Sequence, residues 1–151
     1  MQPDRTPISK HRQESASSAI PVLLIGTAGS SRGVLRGILG FPRWKTYETL
    51  TCHEAIGLLD RLPIGVAICD TEIQDGKWQL LLAELQSRDR PPNLIVSSRL
   101  ADERLWAEVL NLGGYDVLAQ PFDRGEVLRV THRAWIEWRQ ERSSLRMGAG
   151  L

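Results

Sequence analysis

From Met1 to Ala19 the chain is polar and shows no period, and then its pattern changes abruptly. The run IPVLLIGT starts at Ile20, is almost wholly apolar and ends at Gly26 and Thr27, as a strand covered on both faces would. GSSRGVLRGILG follows, with Val34, Leu35, Ile38 and Leu39 on one helical stripe. Gly33 and Gly37 weaken that helix, and Gly40 is placed to close it. WKTYET alternates and is rich in β-formers, which predicts a strand with a wetter face at a sheet edge. TCHEAIGLLDRL opens on Thr51 and Glu54 at capping-box spacing and offers Ala55, Ile56, Leu58, Leu59 and Leu62 for burial.

The same order then recurs. IGVAICD is a buried strand ending at Asp70, and TEIQDG is a loop with a turn at Asp75-Gly76. KWQLLLAELQS is a helix, RDRPPN a breaker loop, and LIVSS a buried strand ending in hydroxyls. ADERLWAEVLNLGG is a helix stopped by Gly113 and Gly114, and YDVLAQP is a strand ended by Pro121. In the long helix FDRGEVLRVTHRAWIEWRQE, Asp123 is the cap and Glu126 stands three residues on. Val127, Val130, Thr131, Ala134, Trp135 and Trp138 share its stripe. Strands that are each followed by a helix imply parallel pairing through right-handed crossovers. The expected fold is therefore a doubly wound, three-layer α/β domain around a five-stranded parallel sheet. It spans 20–141, between an N-terminal arm (1–19) read as disordered and a flexible C-terminal tail (142–151).

Composition narrows the classes. A chain of 151 residues suffices for one domain, burying roughly two thirds of its unfolded surface without a metal or disulfide staple. The net charge of +1 leaves no basic footprint for nucleic acid. Cys52 and Cys69 lack CxxC spacing and histidines number only 3, which argues against structural zinc and suits a reducing cytoplasm. No stretch approaches the ~18 apolar residues of a membrane span, and no signal-peptide core follows the N-terminus. The expectation is a cytoplasmic protein with neither a nucleic-acid nor a membrane partner.

Ligands of such sheets lie beyond the C-terminal ends of the strands. Those ends are Gly26-Thr27, Glu48-Thr49, Asp70, Ser97-Ser98 and Gln120-Pro121. Asp70 is the leading candidate, with the Ser97 and Ser98 hydroxyls expected on the neighbouring strand end; its plainer role would be a turn cap. The stretch Gly26 to Gly33 follows a strand and opens a helix, so its backbone N–H groups can hold a phosphate. Glu48 stands about where a dinucleotide fold carries its ribose acid. The spacing, however, is GxxGxxxG rather than GxGxxG, and no Walker lysine is present, so a small-residue turn accounts for it better. No Ser/His/Asp or Cys/His set forms: His53 starts a helix, His132 is on the polar side of the last one, and Cys69 is a small core residue. Asp75 reads as a turn residue and Glu72 as a loop carboxylate, and the chain reads as no enzyme.

Taken in order, these residues resemble the receiver domain of bacterial two-component response regulators, over about Pro21 to Arg139. The resemblance is carried by the strand-helix order, Asp70 after the third strand, IQDGKW where receivers often have Leu-Pro-Asp-Gly, IVSSR before the fourth helix, and QPF where they have Lys-Pro-Phe. It implies that Asp70 is the phosphoacceptor and Ser97 the switch hydroxyl. Gln120 stands in the place of the lysine, Gly26 and Thr27 in the place of the acidic metal-binding pair, and Val117 in that of the switch aromatic, with Tyr115 two residues early. Phosphoryl transfer to a carboxylate needs Mg²⁺, which takes octahedral oxygen ligation, usually with one or two carboxylates. Asp70 is left with Glu72 and backbone oxygens, so no cofactor is expected and Mg²⁺ is at most weakly held.

The resemblance thus implies a degenerate receiver-like module of a phosphorelay. It would act through protein contacts, with a histidine kinase, a downstream signalling protein or a second copy as partner, and with Asp phosphorylation weak or lost. One alternative is a competent phospho-accepting regulator at Asp70 that uses Glu72 and the Gly26 loop in a changed metal site. Another is a small-molecule or nucleotide sensor using the Gly26–Gly33 loop. The partner surface implied is the face of the fourth helix, fifth strand and fifth helix. There Trp106 and Leu110 lie at the edge of an apolar stripe, Ile136 falls opposite the core stripe, and Trp138 is expected past the reach of the sheet. Partly exposed tryptophans are typical anchors, and Arg104, Glu108, Arg129 and Arg133 would form a polar rim.

Overall fold

A computed structural model of the chain describes residues 18–26 and 30–149, the side chains of Ser30 and 142–149 excepted. The expected arm, save its last two residues, and Thr27 and Gly29 of the glycine-rich loop lie outside the described residues.

The apolar runs become strands and the amphipathic stretches helices: β1 (Ile20–Ile25), α1 (Ser30–Ile38), β2 (Trp44–Thr49), α2 (Cys52–Leu59) and β3 (Val66–Asp70) in the first half. The loop after Asp70 forms a small antiparallel hairpin of β4 (Glu72–Ile73) and β5 (Gly76–Lys77), which the sequence reading leaves as a turn. Next come α3 (Trp78–Gln86), β6 (Asn93–Ser98), α4 (Glu103–Leu112), β7 (Asp116–Ala119) and α5 (Arg124–Ala149). The long strands form one parallel 5-stranded sheet in the order β2-β1-β3-β6-β7. The chain goes out to the edge at β2 and returns past β1, so the strand order reverses between β1 and β3. That is the switch point of a doubly wound sheet.

Local chemistry sets the ends. Thr51 Oγ1 accepts the Glu54 N–H at 3.0 Å, Asp102 Oδ1 the Leu105 N–H at 2.9 Å, and Asp123 Oδ2 the Glu126 N–H at 2.9 Å. Each satisfies a donor that the first turn of a helix leaves free. Gly113 closes α4 in the left-handed conformation at φ 101°. Asp75 does more than turn the chain: its carboxylate accepts the N–H groups of Cys52 at 2.7 Å and His53 at 3.2 Å, tying the hairpin to the start of α2.

Side chains alternate between the faces of a strand, which splits the core in two. Leu23, Ile25, Ala67, Cys69, Leu94 and Val96 pack with residues of α2, α3 and α4. Ile20, Val22, Leu24, Val66, Ile68, Ile95 and Leu118 pack with α1 and α5.

Some expectations require correction. Val34 is 47% exposed, and only Leu35 of the short α1 and Leu39, just past its end, are fully turned inward. Ile56, Leu58 and Leu62 are only partly buried. The backbone of α5 runs on to Ala149, past Glu141 where the sequence reading ends the domain. Trp138 is not a surface anchor: it is buried, and a Cβ at Gly65 would overlap its ring. The glycine just before β3 makes the room that the sequence stripe cannot show. The Arg90 guanidinium lies 5.5 Å from the centre of the same indole.

Candidate functional site

Register brings the site together. Asp70 is the partner of Ser97 across β3 and β6, Leu24 pairs with Ile68, and Ser97 pairs with Leu118. Two residues beyond Leu24, Ile68 and Leu118 stand Gly26, Asp70 and Gln120, on the face that those residues share. That is the face covered by α1 and α5. Glu48 is the partner of Leu24 and so lies on the same face one step before that row, on the far side of β1. Parallel pairing and the period of two thus place Glu48, Gly26, Asp70, Ser97 and Gln120 along one edge of one face.

Within that row the Ser97 hydroxyl, which is buried, donates to Asp70 Oδ1 at 3.0 Å. Gln120 Nε2 donates to Ser97 Oγ at 3.3 Å, completing a relay from amide to hydroxyl to carboxylate. The Gln120–Pro121 bond is cis. Burial pushes the Asp70 carboxyl above its usual range, and the side chains of Ser97, Ser31, Arg32 and Gln120 act against that without cancelling it. Asp70 Oδ2 leans over β1: a Cβ at Gly26 would lie 2.5 Å from it. The carboxylate therefore occupies the space that any side chain at position 26 would need.

The other side of Asp70 is basic. Arg32, from the first turn of α1, is 18% exposed and places Nη1 3.7 Å from Glu48 Oε1. Arg36 pairs with the other oxygen of Glu48 at 2.7 Å. Neither arginine nor Ser31 stands out in the sequence, because the ribose-acid reading of Glu48 drew on strand order alone. The signal that could have found them is the i, i+4 spacing of Arg32 and Arg36, which puts both on the flank of α1 nearest β2.

The remaining candidates separate. Glu72 is exposed in the hairpin that follows Asp70. Cys69 is fully buried, and burial drives its thiol pKa far up, as suits a core residue rather than a nucleophile. Val117 and Tyr115 are both partly buried, with the Tyr115 hydroxyl pushed up to about 12 by burial and by Glu137. On α4, Trp106 is 51% exposed and Leu110 37%, while Ile136 on α5 is half-buried.

The receiver resemblance implies Mg²⁺ beside the acceptor, and the residues here do not fit it. Asp70 is the one carboxylate in its row on β1, β3, β6 and β7, and position 26 has no room for another while Asp70 leans there. Among the described residues no group of three or more His, Cys, Asp and Glu side chains is arranged to hold a metal. The Arg32 side chain passes position 26, where the resemblance implies a metal-binding carboxylate: its Cδ lies 3.8 Å from the point a Cβ there would take.

No protein-family model matches the sequence, and no curated protein sequence matches it. Solved structures do. The signal receiver domain of an HD domain-containing protein from Pseudomonas fluorescens aligns with a TM-score of 0.75 at 20% identity, covering 83% of this chain and 93% of that one. A CheY-like response regulator receiver domain protein from Methanospirillum hungatei gives 0.71 at 17% identity, over 82% and 99% of the two chains. The beryllofluoride-activated NtrC4 receiver domain, solved as a dimer, gives 0.71 at 20% identity, over 78% and 98%. The fold of this chain is that of receiver domains.

Proposed function

We propose that this receiver fold serves as a degenerate signalling module, in which Asp70 keeps the acceptor position while phosphorylation is weak or lost. The observation that carries the reading is the Gln120–Ser97–Asp70 relay. It joins the carboxyl and the hydroxyl that the resemblance implies as acceptor and switch, and it supplies a neutral amide where the resemblance implies a lysine. An amide donates a hydrogen bond yet brings no charge to a phosphoryl oxygen, and among the described residues no group of three or more ligating side chains is arranged to bind the metal that would. The signal would then pass through protein contacts, with a histidine kinase or a downstream protein at one end. The surface proposed is the α4–β7–α5 face, where Trp106, Leu110 and Leu112 are all exposed. The NtrC4 receiver neighbour is a dimer, and the same kind of self-association is proposed here.

Incubating the full chain with acetyl phosphate and Mg²⁺ and measuring intact mass tests the first part, with Asp70→Asn as the blank. Little labelling is expected; rapid stoichiometric labelling of Asp70 overturns the degenerate reading. For the surface, Trp106→Ala with Leu110→Ala should shift the solution mass towards monomer. Each change should alter folding stability by no more than about 0.5 kcal/mol, since exposed side chains lose little on truncation. A natural protein that is monomeric at high concentration removes the homodimer and leaves the heteromeric contact.

A further inference from the structure

Arg32 has no place in the receiver resemblance, and its setting is unusual. The side chain is 18% exposed, and its Nη1 is 3.7 Å from Glu48 Oε1. Its Cδ lies 3.8 Å from the point where a Cβ at Gly26 would be, and Asp70 Oδ2 lies 2.5 Å from that same point. The Arg32 side chain therefore passes over Gly26 of the β1 end, its guanidinium faces Glu48 of β2, and its charge also acts on Asp70 of β3. Its Nε is buried and has no hydrogen-bond partner among the described residues. A buried N–H without an acceptor is unfavourable, and an arginine on the first turn of a helix escapes that cost by turning its flexible stem to water. Arg32 stays in, next to Glu48 and with its charge acting on Asp70.

We propose that Arg32 is a resident cation that takes the electrostatic place of a divalent metal, so that the Asp70 pocket excludes Mg²⁺. This deepens the reading above and rests on it for what the pocket is. The chemistry is direct. A guanidinium keeps its charge at any pH a folded protein meets, so the neutralisation is permanent where that of an exchangeable ion is not. A fixed positive charge a few ångströms from a dication repels it strongly in the partly buried setting of a sheet edge. Gly26 completes the arrangement, since its missing side chain lets the Asp70 carboxylate lean over β1 towards α1. A carboxylate at 26 would push Asp70 off that position and compete with it for Arg32. The pocket is thereby held in one charge state by its own sequence, independent of the metal supply.

The test uses Mn²⁺ as probe, read by paramagnetic broadening of backbone amide NMR signals in the full chain. The natural protein should show no broadening confined to residues around Asp70 and Ser97. Gly26→Asp restores a second carboxylate while Arg32 remains, and it should bind Mn²⁺ poorly. Adding Arg32→Gln, which shortens the side chain and removes its charge, should tighten binding by about tenfold or more. Adding Arg32→Lys instead should keep binding as poor as in Gly26→Asp alone, a pattern that charge produces and packing does not. Folding of each variant is verified from amide dispersion in the same spectra. Equal Mn²⁺ affinity with Arg, Lys and Gln at position 32, or a tight Mn²⁺ site at Asp70 in the natural protein, overturns the proposal. Acetyl phosphate separates it from the broader reading: rapid labelling of the natural protein that persists in EDTA ends the degenerate reading and supports Arg32 as the resident cation. Labelling that requires Mg²⁺ ends both.

Discussion

At each end of the central sheet a glycine is overlain by a side chain from another element. At the C-terminal end Gly26 follows β1, and the Asp70 carboxylate occupies the space a side chain there would need. At the N-terminal end Gly65 precedes β3, and the Trp138 indole covers it. The geometry is alike and the physics opposite. A buried indole removes a large apolar surface from water and closes the lower end of the core, so Gly65 serves stability. A half-buried carboxylate loses hydration that four neighbouring polar side chains do not fully replace, so Gly26 serves the site at some cost to the fold. The comparison separates the glycine that makes room for packing from the one that makes room for chemistry.

Breaking the lower end should have the largest effect. Trp138→Ala should destabilise the domain by about 3–5 kcal/mol, the range for truncating a large buried aromatic. Urea denaturation followed by circular dichroism measures it. A loss under about 1 kcal/mol would mean that the indole is dispensable and would return Trp138 to the list of surface anchors. Gly65→Ala comes next. Its methyl would overlap the rigid ring rather than a flexible chain end, so a cost of about 1–3 kcal/mol is expected from overpacking. In the Trp138→Leu background the same change should cost much less, because the two sites are in contact and their effects do not add.

The upper glycine should behave differently. Gly26→Ala meets only the free end of the Asp70 side chain, which can swing away. Replacing glycine also restricts the unfolded chain, a gain of about 0.4–1 kcal/mol where the backbone allows it. The net change should therefore stay within about 1 kcal/mol of zero and turn stabilising once Asp70 is replaced by Ala. If Gly26→Ala is as damaging as Gly65→Ala, the contrast between the two ends fails.

The same contrast marks what could be read from the chain. Strands, helices, the Thr51 and Asp123 caps and the Gly113 stop follow from local period and local hydrogen bonding, and the structure bears them out. The strand-end rule also reached Asp70, Ser97 and Gln120, because parallel strands of similar length end together and a period of two sorts their faces. Arg32, Arg36 and Trp138 escaped it. Each acts on a residue of another element, and no periodicity encodes which arginine of α1 lies over which strand end. Trp138 shows the failure most plainly: its helix does extend far down the sheet, but the loop residue beneath it is a glycine, and the ring is covered after all. Asp75, read from the sequence as a turn residue, caps a helix 22 residues away in sequence for the same reason.

The smallest expected effect tests the sign of the argument at the upper end. Burial raises the Asp70 carboxyl above its usual range, so the folded protein holds that proton more tightly than the unfolded chain does. Between the ordinary carboxylate pKa and the raised one, stability then falls as pH rises. Above the raised value the full penalty of the ionised group is present; below the ordinary value there is none. Asp70→Asn carries no such proton, and its amide oxygen still accepts from Ser97. Its melting temperature relative to the natural protein should therefore be higher at neutral pH, and the advantage should shrink as pH falls through the raised pKa. Asp75 does not confuse the measurement. Although desolvation pushes its carboxyl up, the N–H groups of Cys52 and His53 outweigh this and hold it below the usual range. Its contribution, present at neutral pH and lost as acid reaches that lowered value, is common to both proteins and cancels in the difference. A variant less stable than the natural protein at neutral pH, with the gap closing in acid, would mean that Arg32 and the relay more than compensate Asp70 for its lost water. The two ends of the sheet would then both be places where a glycine stabilises the fold.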